Sequence, residues 1–306
     1  MSLRTVTLKQ LRALQAVVDT GTVTGAASIL NVTPPAVTTQ IRLLEESAGM
    51  PLLQRVGDRF RPTDAGRSVL AATVRVEAAL DGCLEELELL QGLSGGKVSL
   101  GVVSTAKYFA PHAVGAFSRS HPGIEVRLFV GNREDIIRAL RDDTVDLTIM
   151  GRPPEDLPVE RTVLGAHPHI LIAAPDHPLA QGGRIGIADV AGETFLMRES
   201  GSGTRMLMER LFAVQGISPR IGMEIGSNET IKQAVMAGLG IAFISAHTVA
   251  VELADGRLAE LDVEGLPIRR EWFVVKRSDK RFLPAAAALH DFLVSEGVGF
   301  LPTRPH

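Results

Sequence analysis

Residues 22–47, TVTGAASILNVTPPAVTTQIRLLEES, decide the reading of the chain. Val23, Ala26, Ala27 and Leu30 recur at helical spacing, and the two alanines are small enough to let another helix approach closely. Asn31 and Val32 make a turn. Thr33 is an N-cap residue, and Pro34 follows at the first helical position, where its missing N–H costs nothing. Val37, Ile41 and Leu44 then form a buried stripe. The remaining face offers Pro35, Thr38, Thr39, Gln40 and Arg42, side chains of the size and polarity that reach base edges and phosphates. Two short helices around a tight turn are the geometry by which one helix is presented to the major groove of DNA.

Outward from this stretch, residues 7–19 place Leu8, Leu11, Leu14 and Val18 on one side of a preceding helix, completing a three-helix core. Downstream, two short extended runs around Gly57-Asp58 predict a β-hairpin wing, with Arg55, Arg59 and Arg61 placed to lie along DNA phosphates. Residues 1–62 carry seven Lys/Arg against four Asp/Glu, net +3, in a chain of net charge −3. A basic end on an acidic body fits nucleic-acid contact at one end only. The competing reading is a small helical domain for protein contact, its arginines merely solvated.

Residues 63–91 read as one uninterrupted helix capped by Thr63. Val69, Ala72, Val76, Ala79, Cys83, Leu87 and Leu90 follow the alternating steps of a coiled-coil seam, widened by Leu80 and Leu84. A helix of roughly 43 Å is too long to bury that seam on a small winged domain, so pairing with a second copy is expected. Docking on its own body is the alternative. Gly92-Leu93-Ser94-Gly95-Gly96 reads as a hinge.

The 306 residues suffice for two or three domains, and no apolar run is long enough for a membrane span. The polar first residues do not resemble a signal peptide, and a single cysteine excludes an intramolecular disulfide, so the expected compartment is the cytoplasm. Cys83 is read as a small seam residue.

From Lys97 the pattern alternates apolar strands with helices, predicting a largely parallel sheet with helical crossovers. The helices expected are 105–120, 133–142, 204–215, 228–237 and 284–296. Strands are expected at 98–103, 125–130, 147–150, 170–173, 194–197, 220–225, 241–244 and 270–275. In such sheets ligands sit beyond the carboxyl ends of strands, near helix N-termini. Three junctions there are rich in hydroxyls: Ser104-Thr105-Ala106-Lys107, Ser200-Gly201-Ser202-Gly203-Thr204-Arg205 and Ser227-Asn228-Glu229-Thr230. Free N–H groups, with Lys107, Arg152 and Arg205, would seat a small anion. The plain alternative is helix capping.

Enzymatic readings find little support. No Gly-x-Ser-x-Gly elbow, Walker loop or dinucleotide fingerprint stands in its required context. His167 and His169 flank a proline, with nothing nearby to complete a zinc set.

Ala26-Ala27, Pro35-Ala36-Val37-Thr38, Gln40-Ile41, Leu44-Glu45 and Pro62-Thr63-Asp64-Ala65-Gly66 resemble the N-terminal signature of LysR-type transcriptional regulators, and the similarity extends over essentially the whole chain. Thr39 stands where many members carry an arginine; it can hydrogen-bond but has no guanidinium fork. The resemblance implies an α+β multi-domain protein. It would have a winged helix-turn-helix (1–62), a linker and dimerisation helix (63–91) and a two-lobed α/β sensor of the periplasmic-binding-protein type. Lobe I would be 97–165 with 270–302 and lobe II 166–269, with hinges at both crossings. It also implies a non-covalent effector rather than a cofactor, an operator of double-stranded DNA, contact with RNA polymerase, and a homodimer or homotetramer. Finer matches at Ser104–Pro111, Gly131-Asn132-Arg133-Glu134, Gly151-Arg152-Pro153-Pro154, His167-Pro168-His169 and Ser227–Lys232 resemble the CbbR-type subgroup. Those regulators control carbon dioxide fixation genes, and their effectors are phosphorylated sugars and acids, nicotinamide cofactors or related metabolites. Regulation of aromatic or organic acid catabolism is the alternative, as is an enzyme with an accessory DNA-binding domain.

Overall fold

The computed structural model describes residues 5–90, 95–280 and 282–303. Most of the predicted glycine hinge falls on 91–94, outside the described residues. The chain divides into two compact units, residues 1–84 and 85–306.

In the first unit α1 (Leu8–Thr20), α2 (Val23–Leu30) and α3 (Pro34–Ala48) pack around Leu14, Val17, Ala26, Ala27, Val37, Ile41 and Leu44. Thr7 and Gln10 close a reciprocal capping box on α1, and Thr22 caps α2. Asn31 ends α2 in the left-handed region at φ 54°, a conformation asparagine tolerates. Thr33 occupies the N-cap of α3, but its side chain makes no capping bond. The reason is local: Pro34 and Pro35 have no N–H to offer, and the Ala36 N–H already donates to the Thr33 carbonyl at 3.0 Å. Strands β1 (Leu53–Val56) and β2 (Arg59–Pro62) pair antiparallel as the wing. Glu45 is more than a surface carboxylate: its Oε1 accepts the Leu52 and Leu53 amides at 2.8 and 3.3 Å, fastening α3 to the wing.

Helix α4 (Asp64–Leu90) begins at Thr63, whose Oγ1 accepts the Gly66 N–H at 3.0 Å. A Cβ at Gly66 would lie 2.0 Å from the Leu52 carbonyl oxygen, so only glycine permits this approach. Arg12 of α1 holds Glu77 of α4 through two hydrogen bonds of 2.6 and 2.8 Å. These bonds and the adjacent charge keep the Glu77 carboxyl below its ordinary range. Further along, Val76, Leu80, Leu84 and Leu87 are exposed, and so is Cys83.

The second unit begins with β3 (Gly96–Val103), α5 (Ala110–Ser120), β4 (Ile124–Gly131), α6 (Arg133–Arg141), β5 (Leu147–Met150) and β6 (Val159–Ala173). Next come β7 (Thr194–Arg198), α7 (Gly203–Val214), β8 (Arg220–Ile225), α8 (Asn228–Met236) and β9 (Ala242–Ser245). The last elements are α9 (Ala250–Ala254), β10 (Ala259–Leu261), β11 (Ile268–Arg277) and α10 (Pro284–Glu296). The expected helix 105–120 is split into a 3-10 turn at Ala106–Tyr108 and α5, because Pro111 fits a first turn and not a helix interior. The expected short strand 170–173 is the end of the 15-residue β6.

The seven-stranded sheet runs β10-β6-β11-β5-β3-β4, with β9 also on β6. Its β3, β4 and β5 are parallel, and β7 and β8 form a separate parallel pair, but every described pairing of β6, β9, β10 and β11 is antiparallel, so the expected parallel pairing recurs in both lobes and fails around β6 and β11. Strands β6 and β11 are the two crossings between lobes, hydrogen-bonded to each other along their length. On β6, Leu164 belongs to the core around Phe117, Leu147 and Trp272, whereas Ile170 to Ala173 belong to the second lobe. There Ile170 and Ile172 face one layer, Leu171 and Ala173 the other. A strand covered on both faces reads as a continuous apolar run, as this one does.

Candidate functional site

In the first unit α3 displays Pro35, Thr38, Thr39 and Arg42 at the surface, with Gln40 half-buried. The Thr38 and Thr39 hydroxyls donate back to the Pro34 and Pro35 carbonyls at 3.1 and 2.9 Å, which leaves their lone pairs outward. Arg42 is held by Glu46 at 2.6 Å, one turn on. On the wing, Arg55 reaches the Gly57 carbonyl at 3.1 Å and lies 3.6 Å from Asp58. Arg61 is exposed. Arg59 is exposed as well, and its guanidinium donates to the Thr20 carbonyl at 3.1 Å and covers Gly21, tying β2 to the end of α1.

In the second unit a cleft with about 690 Å³ of empty space, counted out to open solvent, lies between the lobes. Of the residues predicted for an effector, it gathers Ser104, Thr105, Arg152, Ser202 and Thr204. The N-terminal turns of α6 and α7 border it through Asn132-Arg133 and Ser202-Gly203-Thr204, so two positive dipole ends meet there. Ser202 stands at the N-cap of α7 and spends no side-chain bond on capping.

The other predicted residues lie elsewhere. Lys107 sits 5.1 Å over the Tyr108 ring. Arg205 is engaged by Glu209 at 2.8 Å and Glu224 at 2.5 Å, which is why its charge is not offered to the cleft. Ser200 and Thr230 are exposed outside it. Asn228 is buried behind the lining, and its Oδ1 accepts from Arg198.

Sequence reading missed Arg133, Arg198, Arg210 and Arg270, which with Arg152 make five arginines in a lining that, among the described residues, contains no Asp or Glu. Arg198, the last residue of β7, is buried and held by the Glu199 carboxylate at 2.7 and 2.8 Å. It also donates to Ser104 Oγ at 3.1 Å, linking the lobes. Arg133 donates to the Arg152 carbonyl at 3.1 Å, and Arg152 is paired only at the rim, with exposed Glu155. Burial, then the neighbouring Arg152 and Arg210, lowers the pKa of Arg270; burial and Arg152 do the same for Arg133. Cations under mutual repulsion in a lining without carboxylates favour an anion. His167 and His169 complete the floor. Burial pushes His169 down to about 3 and His167 well below its usual value, so both rings are neutral.

Among the described residues no group of three or more His, Cys, Asp or Glu is arranged to hold a metal, and no helix is long and apolar enough to cross a membrane.

Comparison with known proteins agrees with this architecture. Residues 8–67 match the bacterial regulatory helix-turn-helix protein of the lysR family, and residues 91–297 match the LysR substrate binding domain. The HTH-type transcriptional regulator CbbR of Xanthobacter flavus is 54% identical over 301 residues, covering 98% of this chain and 90% of that protein. The RuBisCO operon transcriptional regulator of Allochromatium vinosum is 44% identical over 291 residues, 95% of this chain and 96% of its own. The regulatory domain of Synechocystis PCC6803 CcmR, solved in complex with 2-PG, superposes with a TM-score of 0.63 at 39% identity, over 65% of this chain and 96% of that one. The chain therefore belongs to the LysR family of bacterial helix-turn-helix transcriptional regulators.

Proposed function

We propose that this regulator controls carbon-fixation genes in response to a small phosphorylated acid bound in the interlobe cleft. The observation that carries the reading is the acid-free lining of five arginines beside two helix N-termini. Relatives bear the names CbbR and RuBisCO operon transcriptional regulator, and a related regulatory domain holds 2-PG, which agrees with that chemistry. Aromatic-acid catabolism is disfavoured because, among the described residues, no Phe, Tyr or Trp lines the cleft. The ligand-contacting residues in this reading are Ser104, Thr105, Arg133, Arg152, Ser202, Thr204 and Arg270.

Operator DNA is read by Thr38, Thr39, Gln40 and Arg42 with Pro35 and Thr33 at the helix start, and Arg55 and Arg61 meet phosphates along the wing. The exposed stripe of α4 pairs two copies, and two such pairs make a tetramer. An effector acts by preferring one arrangement of the lobes, which changes the spacing of the readers and access of RNA polymerase. The site of action is the cytoplasm.

The test is calorimetric titration of the full chain with phosphoglycolate, phosphoenolpyruvate, ribulose bisphosphate, NADPH and 2-oxoglutarate, alongside operator binding. Saturable binding of a phosphorylated acid that alters operator affinity is expected. Tight binding of 2-oxoglutarate alone would point to a carboxylate sensor instead.

A further inference from the structure

The floor of the cleft contains a buried side chain whose polar atoms are unused among the described residues. His167 is 4% exposed, and among the described residues neither Nδ1 nor Nε2 has a hydrogen-bond partner. Its ring lies on Trp272 at 3.6 Å between centroids and 14° between planes, with His169 tilted at 4.2 Å. Its neighbours are otherwise engaged: His247 Nδ1 accepts the Trp272 indole N–H at 3.0 Å, and His169 Nδ1 meets the His167 carbonyl at 3.2 Å. A neutral imidazole carries one donor and one acceptor, and leaving both unmade in the interior costs about 1–3 kcal/mol each. A phenylalanine would give the same stack without that penalty.

Two features fix where this imidazole lies. Arg270 is its cross-strand partner, so on adjacent antiparallel strands the two side chains share one face, and both line the cleft. Beside Nδ1 stands Gly151: a Cβ there would lie 2.6 Å from Nδ1 and 3.1 Å from Cε1, with the next atom, the Glu271 carbonyl oxygen, at 3.7 Å. Only a residue without a Cβ therefore lets the imidazole lie this close to the backbone of the floor.

Resting on the reading of the cleft as the effector site, we propose that His167 is a ligand-contacting residue. Its ring N–H donates to an oxygen of the anion that Arg270 holds. It is a specificity determinant: the acid must carry an oxygen deep enough to reach the floor, past the arginines at the rim. The imidazole is retained for the ligand at the expense of the empty protein's stability.

The experiment compares the wild type, His167→Phe and His167→Asn as full chains, by calorimetry with phosphoglycolate and phosphoenolpyruvate and by thermal unfolding without ligand. For His167→Phe the expected result is affinity about 10- to 100-fold weaker, the factor for a hydrogen bond to a charged group. Its empty form should melt at the wild-type temperature or about 2 °C or more above it. His167→Asn restores a donor and should bind within about 5-fold of the wild type, since about 1 kcal/mol covers the poorer geometry. Unchanged affinity in His167→Phe overturns the proposal, as does equal loss in both variants. If the wild type binds neither probe, the carbon-metabolite reading falls. The melting arm then judges His167 by itself: a higher melting temperature for His167→Phe supports a polar group kept for another ligand, and a lower one makes the imidazole structural and overturns the proposal.

Discussion

The two units place their functional groups in opposite ways. In the reader, Thr38, Thr39 and Arg42 stand on the outside of α3 over a closed apolar core, and what they need from the fold is one rigid helix. In the sensor, Arg198, Ser202, Thr204 and His167 are buried, and the cleft they line is assembled from β6, β7 and α7 together with the first lobe. A surface reader can change letters without disturbing its core. A buried site of the proposed kind cannot, because a polar group there that lacks a partner weighs on the stability of the fold.

That contrast can be broken most sharply on α4, which belongs to neither pattern. Leu80→Glu with Leu84→Glu leaves each chain folded, since both side chains are exposed, and should abolish pairing. The expected loss is about 4 kcal/mol or more of association, given about 1.5–3 kcal/mol for each leucine buried and the added charge repulsion. Sedimentation that still shows a dimer would return the stripe to a role within one chain. Next in size is Arg270→Gln. Removing a cation that has no carboxylate partner among the described residues should weaken phosphoglycolate by about 2–4 kcal/mol, with operator binding by the empty protein intact.

The third test uses pH. His167 and His169 have folded pKa values below the ordinary 6.5. Below that pH the unfolded chain takes up protons that the native sensor refuses. Stability is therefore complete above about 6.5 and falls as pH drops toward the folded values, by up to about 1.4 kcal/mol per pH unit for each ring. Unfolding measured between pH 7 and 5 should show this slope, and His167→Phe should reduce it. The smallest effects belong to the reader. Arg42→Ala or Thr38→Ala should cost about 1–2 kcal/mol on the operator and little on random DNA, seen as relaxed preference in competition binding. Arg59→Ala should also lower the melting point of the N-terminal unit, because its guanidinium ties β2 to Thr20.

The same contrast explains what was legible. The helix-turn-helix and wing follow from local signals: apolar period, a capping threonine before two prolines, a Gly-Asp turn. The strand-to-helix rule found Ser104, Thr105, Ser202 and Thr204 because topology alone puts such junctions at the cleft. It failed at Ser227–Thr230, where Asn228 serves Arg198 from behind the lining. Arg133, Arg198, Arg210 and Arg270 were invisible because a cation's local sequence does not say what it faces; nothing within β11 distinguishes Arg270 from a solvated strand residue. His167-Pro168-His169 interrupts the apolar run of β6, so only the final third of that strand reads as one.

Glu45 takes two amides at the root of the wing, so the inclination of the hairpin is fixed by the pitch of the recognition helix. The freedom such a hairpin would surrender on meeting a duplex is already gone when the chain folds. In the proposed complex helix and hairpin then touch the operator as a single body, and a shift in how deeply one sits must appear in how closely the other hugs the backbone.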